Sequence, residues 1–339
     1  MTITSAAAAD LILERLRHVP GFEDAALSGE PQPITGGFWA TLLLLPLDAA
    51  PVPAVVLRLM PDTPLTAKET AFQREAFRQG FPVPEILLAG DRDAGLGRAY
   101  LVMAHIAGAP PLAGLDGVAA LRRLPSTARA LPQLLGSVMA QLHTLDPAPF
   151  LALRDTGVSV ETTDLLESWT AWADALGRTD VATAAARLSE LRPTPAATVV
   201  CHGDLHPFNL LVDADGKWTL LDWTAAVIAE PAYDISFTSI LLRHPPLAVP
   251  RMLQPAIDAA GAYVTRRFQA SYQANGQSLP DPARLAWHTA LHSVRILLEV
   301  EAWRHDGTVA DHLGHPWLSV GRTAAAVLSR ATGTAVTRQ

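Results

Sequence analysis

His202-Gly203-Asp204-Leu205-His206-Pro207-Phe208-Asn209 is the stretch that decides the reading. Leu210 to Val212, the turn-forming Asp213-Ala214-Asp215-Gly216-Lys217, and Leu220-Leu221-Asp222-Trp223 continue it. The chain is 49% hydrophobic and only 17% charged, yet this one segment packs more side chains suited to metal binding or proton transfer into twenty-odd residues than any other part. Thr198-Val199-Val200 ahead of it reads as a short strand, and Pro207 rules out a continuous helix, so Asp204 and Asn209 are expected on a loop. The Asp215-Gly216 dipeptide between two apolar runs is a hairpin signal. A two-residue turn there pairs Ala214 with Lys217, Asp213 with Trp218 and, counting outward, Asn209 with Asp222. Directly opposed residues have Cβ atoms roughly 5 Å apart, so an amide oxygen and a carboxylate are expected to meet at the sheet end.

One amide oxygen and one carboxylate are hard donors that suit Mg²⁺, with nucleotide phosphates filling the rest of its shell. Asp204 is then a separate carboxylate, able to accept a hydroxyl proton or orient that hydroxyl. The structural alternative is that Asp204 caps a turn and Asn209 only hydrogen-bonds loop backbone.

Outward from this segment the chain changes character. Residues 6–17 read as a short amphipathic helix, and 42–47 and 54–60 as strands joined by a Pro-rich loop. Residues 67–79 read as a helix with Ala71, Phe72, Ala76 and Phe77 as its apolar side. Strands follow at 86–89 and 99–106. Gly108-Ala109-Pro110-Pro111 marks a boundary, beyond which Ala and Leu recur at helical spacing: 134–145, 164–176, 181–191, 235–242, 255–274 and 283–304. The expected architecture is α+β and bilobal: a small N-terminal antiparallel sheet lobe with one helix, residues 1–107, and a larger, mainly helical C-terminal lobe, residues 108–339.

The bulk numbers narrow the function classes. A net charge of −7 with no Lys/Arg run argues against nucleic-acid binding. No apolar run reaches the length of a membrane span, and the N-terminus lacks the basic region of a signal peptide. The single cysteine, Cys201, excludes an internal disulfide and fits a cytoplasmic location. It reads as a buried small hydrophobe.

His202-Gly203-Asp204…Asn209 with Leu221-Asp222-Trp223 resembles the signature of the aminoglycoside phosphotransferase family. These protein-kinase-like enzymes include choline- and homoserine-type small-molecule kinases. The spacing is also similar to the protein-kinase loop H-R-D-x-x-x-x-N, with Gly203 in place of Arg and Asp222 where the D-F-G aspartate stands. The resemblance implies a protein-kinase-like fold, Asp204 as catalytic base, Asn209 and Asp222 as Mg²⁺ ligands, and ATP or GTP as co-substrate. Gly36-Gly37-Phe38 ahead of a strand resembles the family's abbreviated glycine loop, which lets backbone approach phosphate. Arg58 stands where the family often has a phosphate-contacting Lys; it keeps the charge and adds a bidentate fork. Its helix partner is expected to be Glu69 rather than Glu75. The segment ending at Gly108 resembles the family's strand-to-hinge connection, which implies adenine bonding to backbone near Ala104, His105 and Ile106. Glu230-Pro231-Ala232-Tyr233-Asp234 resembles the family's Asp-Pro-x-x-Asp continuation, with Glu230 in place of the first Asp. Asp234 is expected to organise loop backbone or cap the next helix.

The acceptor is less legible. His206, Trp169, Trp172 and Trp303 are the substrate candidates, with Asp164, Glu167, Arg295, Glu299, Glu301 and Trp317 also in the helical lobe. Glu299 and Glu301 cannot share a helix face, and Arg295 with Glu299 forms an i,i+4 pair that reads as a solvated face. A pocket for a polycation cannot be assembled from these residues; a neutral or amphiphilic hydroxyl compound suits them as well or better. The expected activity is transfer of a γ-phosphate to a small-molecule hydroxyl. Arg58 for Lys and Glu230 for Asp leave a second reading, a kinase-fold nucleotide-binding regulatory module without transfer. A metal-dependent hydrolase is the third.

Overall fold

The structure is a computed structural model that describes residues 4–34, 40–60, 63–92, 95–113, 117–162, 165–245, 252, 254–313 and 315–337, with backbone alone for 117–125. Gly36, Gly37, Phe38 and Asp164 lie outside the described residues. The chain forms two compact units. The first comprises Met1–Ala113, Ala148–Val160 and Phe208–Ala226; the second Gly114–Pro147, Glu161–Pro207 and Val227–Gln339. The first unit therefore reclaims two segments well beyond residue 107, one of them the hairpin after Asn209.

The first unit is built on an antiparallel sheet whose described strands run in the order Ala26–Leu27, Thr41–Asp48, Ala54–Met60, Ala99–Ala104, Ile86–Gly90, with Gln32–Ile34 also paired to Thr41–Asp48. Strand side chains alternate between faces. Val55, Leu57 and Leu59 join Leu43, Leu45 and Leu47 in a core closed by Ala8, Ile12 and Leu16 of helix Ser5–Leu16. Arg58, between them in sequence, is turned to the opposite face, toward helix Thr63–Arg78.

That helix buries Thr66, Glu69, Thr70, Phe72, Gln73 and Ala76, a stripe at the 3.6-residue period with four polar members. The expected apolar side is displaced: Phe77 is 44% exposed. The face is chosen by what it must meet, a buried guanidinium, rather than by hydrophobicity alone.

Leu210–Val212 and Trp218–Leu220 form the expected hairpin, but its register is one residue from the expectation. Leu210 faces Leu220 and Val212 faces Trp218, and the Leu221 amide donates to the Asn209 carbonyl at 2.8 Å. Asn209 is thus opposite Leu221, not Asp222. The turn is longer because the Asp213 carboxylate accepts from the amides of both Asp215 and Lys217, and Gly216 takes the left-handed position at φ +79°. This is a three-residue loop of the bulged type. The hairpin is fastened to the first unit by the Leu220 amide donating to the Pro82 carbonyl at 2.9 Å and by Phe81 against Trp218 and Trp223, with ring centroids at 5.4 and 5.9 Å. Ala109 and Val212 exchange backbone hydrogen bonds of 3.1 and 2.9 Å. A Cβ on Gly108 (φ +149°) would stand 3.0 Å from the Val212 carbonyl oxygen, which accounts for glycine there.

The second unit is helical. Helices Leu165–Ala175, Thr179–Glu190, Pro231–Arg243, Pro282–His305 and Pro316–Thr332 share one apolar core, and Gly117–Leu142 packs with Gln254–Ala274. Helix Gly117–Leu142 begins well before the expected 134 because Pro132 is accommodated inside it. Helix Pro316–Thr332 was not anticipated, although Pro316 in its first turn and Gly333 at its left-handed C-terminus are the boundary signals such a helix shows. Strand Val199–Cys201 pairs with Val227–Ala229 and delivers the chain to His202.

Candidate functional site

Two constellations are built independently. In the second unit, the backbone around Asp204 is held from both sides. The Asp234 carboxylate accepts from the His202 amide at 2.8 Å and the Gly203 amide at 2.6 Å. It also meets His143 Nε2 at 3.3 Å, and His143 Nδ1 meets the Tyr272 hydroxyl at 2.8 Å. Asp234 is 1% exposed. Burial pushes its pKa up, but His143 and the loop amides outweigh it and hold the carboxyl below its ordinary value. Asp234 organises loop backbone, as expected. The Thr238 hydroxyl donates to the Leu205 carbonyl at 2.8 Å, and Arg295 Nη1 donates to the Gly203 carbonyl at 3.3 Å. Gly203 adopts φ +73°, a conformation that costs other residues about 1–2 kcal/mol, so an Arg at this position would be strained.

Asp204 itself is half-buried, with an oxygen 3.7 Å from His206 Nε2. Arg295 donates to Glu299 at 2.7 Å, and Glu299 accepts from Trp317 Nε1 at 2.7 Å. Burial alone would lower the Arg295 pKa, but the Glu299 and Asp204 carboxylates raise it further. The expected solvated pair is therefore a partly buried link between helix Pro282–His305, helix Pro316–Thr332 and the loop. The i,i+4 spacing disclosed the pair, but only the unanticipated last helix makes it part of a site. Glu230 is bound by Arg284 at 2.5 Å and by the Ala196 amide at 3.1 Å, so the longer side chain is used for tying segments together.

The substrate candidates separate. Trp169 and Trp172 are partly buried against the core of the second unit. Trp303 is 4% exposed and stacks on His312 at 4.1 Å and 16°, a position that core packing accounts for.

In the first unit, Arg58 is the centre. Its Nη1 lies 2.5 Å from Glu69 Oε1 and its Nη2 2.8 Å from Asp222 Oδ2. Glu75 instead bonds Arg78 and Gln79 on its own helix. Glu69 is fully buried; burial pushes its pKa up to about 7, against the pull of the Arg58 guanidinium. The two carboxylates outweigh burial at Arg58 and raise its pKa. Asp222 Oδ1 accepts from the Thr224 hydroxyl at 2.6 Å. Asp222 is one of two described non-glycine residues with positive φ, at +62°. Backbone held in this region tends to cluster at functional sites. The left-handed turn, not ladder pairing, sets the direction of its carboxylate. Asn209 lies on a 3₁₀ turn, Pro207–Asn209, just ahead of the hairpin.

At the hinge, the Ala104 amide donates to the Glu85 carbonyl at 2.9 Å and the His105 amide to the Ala54 carbonyl at 3.1 Å. No hydrogen bond to the Ile106 amide is present among the described residues. No described helix is long and apolar enough to cross a membrane.

Comparison with known proteins agrees with this geometry. Residues 33–288 match the model of the phosphotransferase enzyme family. The uncharacterized protein YcbJ of Bacillus subtilis is 32% identical over 120 residues, 30% of this chain and 34% of its own, so the chain spans about a third of that curated relative. Among solved structures, a choline/ethanolamine kinase family protein from Mesorhizobium loti superposes with a TM-score of 0.59 at 17% identity, covering 96% of this chain and 97% of the other. A thermostable mutant of the aminoglycoside phosphotransferase APH(4)-Ia, in a ternary complex with AMP-PNP and hygromycin B, gives 0.57 at 17% identity, covering 97% and 100%. At these identities the likeness is one of fold.

Proposed function

The chain belongs to the phosphotransferase enzyme family, and from that premise we propose that it transfers the γ-phosphate of ATP or GTP to a hydroxyl of a small molecule, with Asp204 as catalytic base. The observation that carries this reading is the buried Arg58 fork joining Glu69 and Asp222. It is the arrangement by which kinase-like folds hold a phosphate-contacting cation on a sheet strand against a helix glutamate. The structural neighbour bound to AMP-PNP and hygromycin B supports a nucleotide and a hydroxyl-bearing acceptor as the two substrates.

Asn209 and Asp222 are the residues that would hold Mg²⁺. Their donor set, one amide oxygen and one carboxylate, fits a hard cation that keeps water and phosphate as its other ligands. When bound, Mg²⁺ would offset the charge of the transferring phosphoryl group. Asp222 reaches that role by sharing or releasing the contact it makes with Arg58. Arg58, ionised at neutral pH, then keeps Glu69 as its anchor while its second arm becomes available to phosphate oxygens. The Ile106 amide, whose neighbours are already bonded, is the donor for the base. Gly36, Gly37 and Phe38 complete the nucleotide contacts in this reading.

In the transfer step the acceptor oxygen forms a bond to the γ-phosphorus as the bond to the bridging oxygen breaks and the nucleoside diphosphate leaves. The acceptor proton passes to the Asp204 carboxylate. The fixed backbone at His202, Gly203 and Leu205 keeps that carboxylate in one position, the kind of pre-organisation that speeds a bimolecular step. His206 and the Arg295–Glu299–Trp317 group line the acceptor side, with Trp169 and Trp172 as wall candidates. A cytoplasmic location, where nucleoside triphosphate is plentiful, belongs to the same reading.

The experiment is Mg²⁺-dependent nucleotide binding by calorimetry followed by a transfer assay over antibiotic and metabolite hydroxyls. Binding with transfer is the expected result. Binding without transfer to any acceptor would favour a regulatory module, and release of inorganic phosphate alone a hydrolase.

A further inference from the structure

Helices Pro231–Arg243, Pro282–His305 and Pro316–Thr332 of the second unit line a partly open cavity of about 360 Å³. The cavity begins at Ser236, two residues from Asp234, and reaches Arg243, nine residues and roughly 14 Å from Asp234 along the helix axis. It is lined by Ser236, Ser239 and Ser293, the first and last of which donate to the Leu285 and Thr289 carbonyls, beside Ile240, Val320 and Val327, and its rim carries Arg243 and Arg330. No acidic side chain lines it among the described residues, in a chain whose net charge is −7. Neither arginine makes a side-chain hydrogen bond or ion pair among the described residues. The Ser239 hydroxyl is shielded from solvent and has no hydrogen-bond partner there.

We infer that this cavity is a binding site for a small oxyanion, a phosphate monoester or carboxylate carried on a short apolar body. The rim guanidiniums have the planar donor fork that matches such a head group. Ile240, Val320 and Val327 supply an apolar wall for the body. The volume is at the small end of ligand sites. The inference does not depend on the phosphotransfer reading.

Hexyl phosphate is the probe, compared by calorimetry with hexanol and hexylammonium on the full chain. The expected result is one binding event for hexyl phosphate that neither comparator shows and that weakens as salt rises. The paired change Arg243→Gln with Arg330→Gln is expected to weaken it by about 100-fold, on the order of tenfold for each charge-assisted bond lost. Both residues are exposed, and near-UV circular dichroism of the variant should match wild type. Should that variant be unstable, Arg330→Gln alone, expected to weaken binding about tenfold, gives the same test. Equal binding of hexanol, or an event that both variants retain unchanged, would overturn the site.

Discussion

Asp234 and Asp222 are both carboxylates at the end of a motif, and both accept several hydrogen bonds, yet they are built for opposite purposes. Asp234 is sealed in the second unit, and two of its partners are backbone amides that cannot move without the loop moving. Asp222 sits in a left-handed turn of the first unit, partly exposed; the side chains of Arg58 and Thr224 hold it at 2.8 and 2.6 Å and the Thr224 amide reaches it at only 3.4 Å, and the side-chain contacts can be exchanged for other ligands. A carboxylate fixed by backbone is a structural element. One fixed by side chains on an unfavourable backbone can be offered to a ligand.

The sharpest way to break that comparison is to neutralise each residue in turn. Asp222→Asn tolerates the left-handed backbone, so the melting curve is expected to shift little, while kcat falls on the order of 10³-fold. Asp234→Asn presents an amide where only acceptors fit and is expected to lower stability by roughly 2–4 kcal/mol in urea unfolding, with loss of activity following from loss of the loop. If the two variants behave alike, the distinction fails.

Gly203→Ala is the next effect in size. At φ +73° it is expected to cost about 1–2 kcal/mol and to lower kcat more than it raises the nucleotide KM, because it displaces Asp204 and not the first unit. A KM effect alone would contradict the placement of Asp204 on the loop clamped by Asp234.

A broader effect, spread over the unit and not aimed at one side chain, is the acid sensitivity of the second unit. Burial holds His292 down to about 3 and His288 down to about 4, against an ordinary 6.5. Both stay neutral in the folded chain and take up a proton on unfolding. Their contribution to stability is therefore complete above about pH 6.5 and is lost as pH falls through that value toward 4 and 3. Each proton is worth roughly 1.4 kcal/mol per pH unit in that window. Melting temperatures measured from pH 7 to 5 should fall, and His292→Gln should flatten the slope.

What was legible in the sequence follows the same division. Part of the chemistry was readable: a hairpin around Asp215-Gly216, Asp234 as a backbone organiser and, through the family resemblance, Glu69 over Glu75. The fold class and the lobe order were readable because strand and helix periods differ so plainly on either side of Gly108. The hairpin register was misread by one residue because the Asp213 side chain, not the dipeptide alone, sets the loop length. Phe77 was misplaced because the helix turns a polar stripe inward to meet Arg58, and hydrophobic period cannot announce a buried ion pair. The Arg295–Glu299 link was read as solvated because its third member, Trp317, lies on a helix whose Pro316 and Gly333 boundary signals went unused.

The central claim is that Asp204 takes the acceptor proton in a transfer from nucleoside triphosphate. Its most direct test is transfer of label from γ-³²P-ATP or γ-³²P-GTP to an identified hydroxyl product, with Mg²⁺ and with chelator, comparing wild type with Asp204→Asn. The prediction is Mg²⁺-dependent label in the product, reduced on the order of 10²- to 10⁴-fold by the substitution while nucleotide binding is kept. Transfer by Asp204→Asn at the wild-type rate would contradict it.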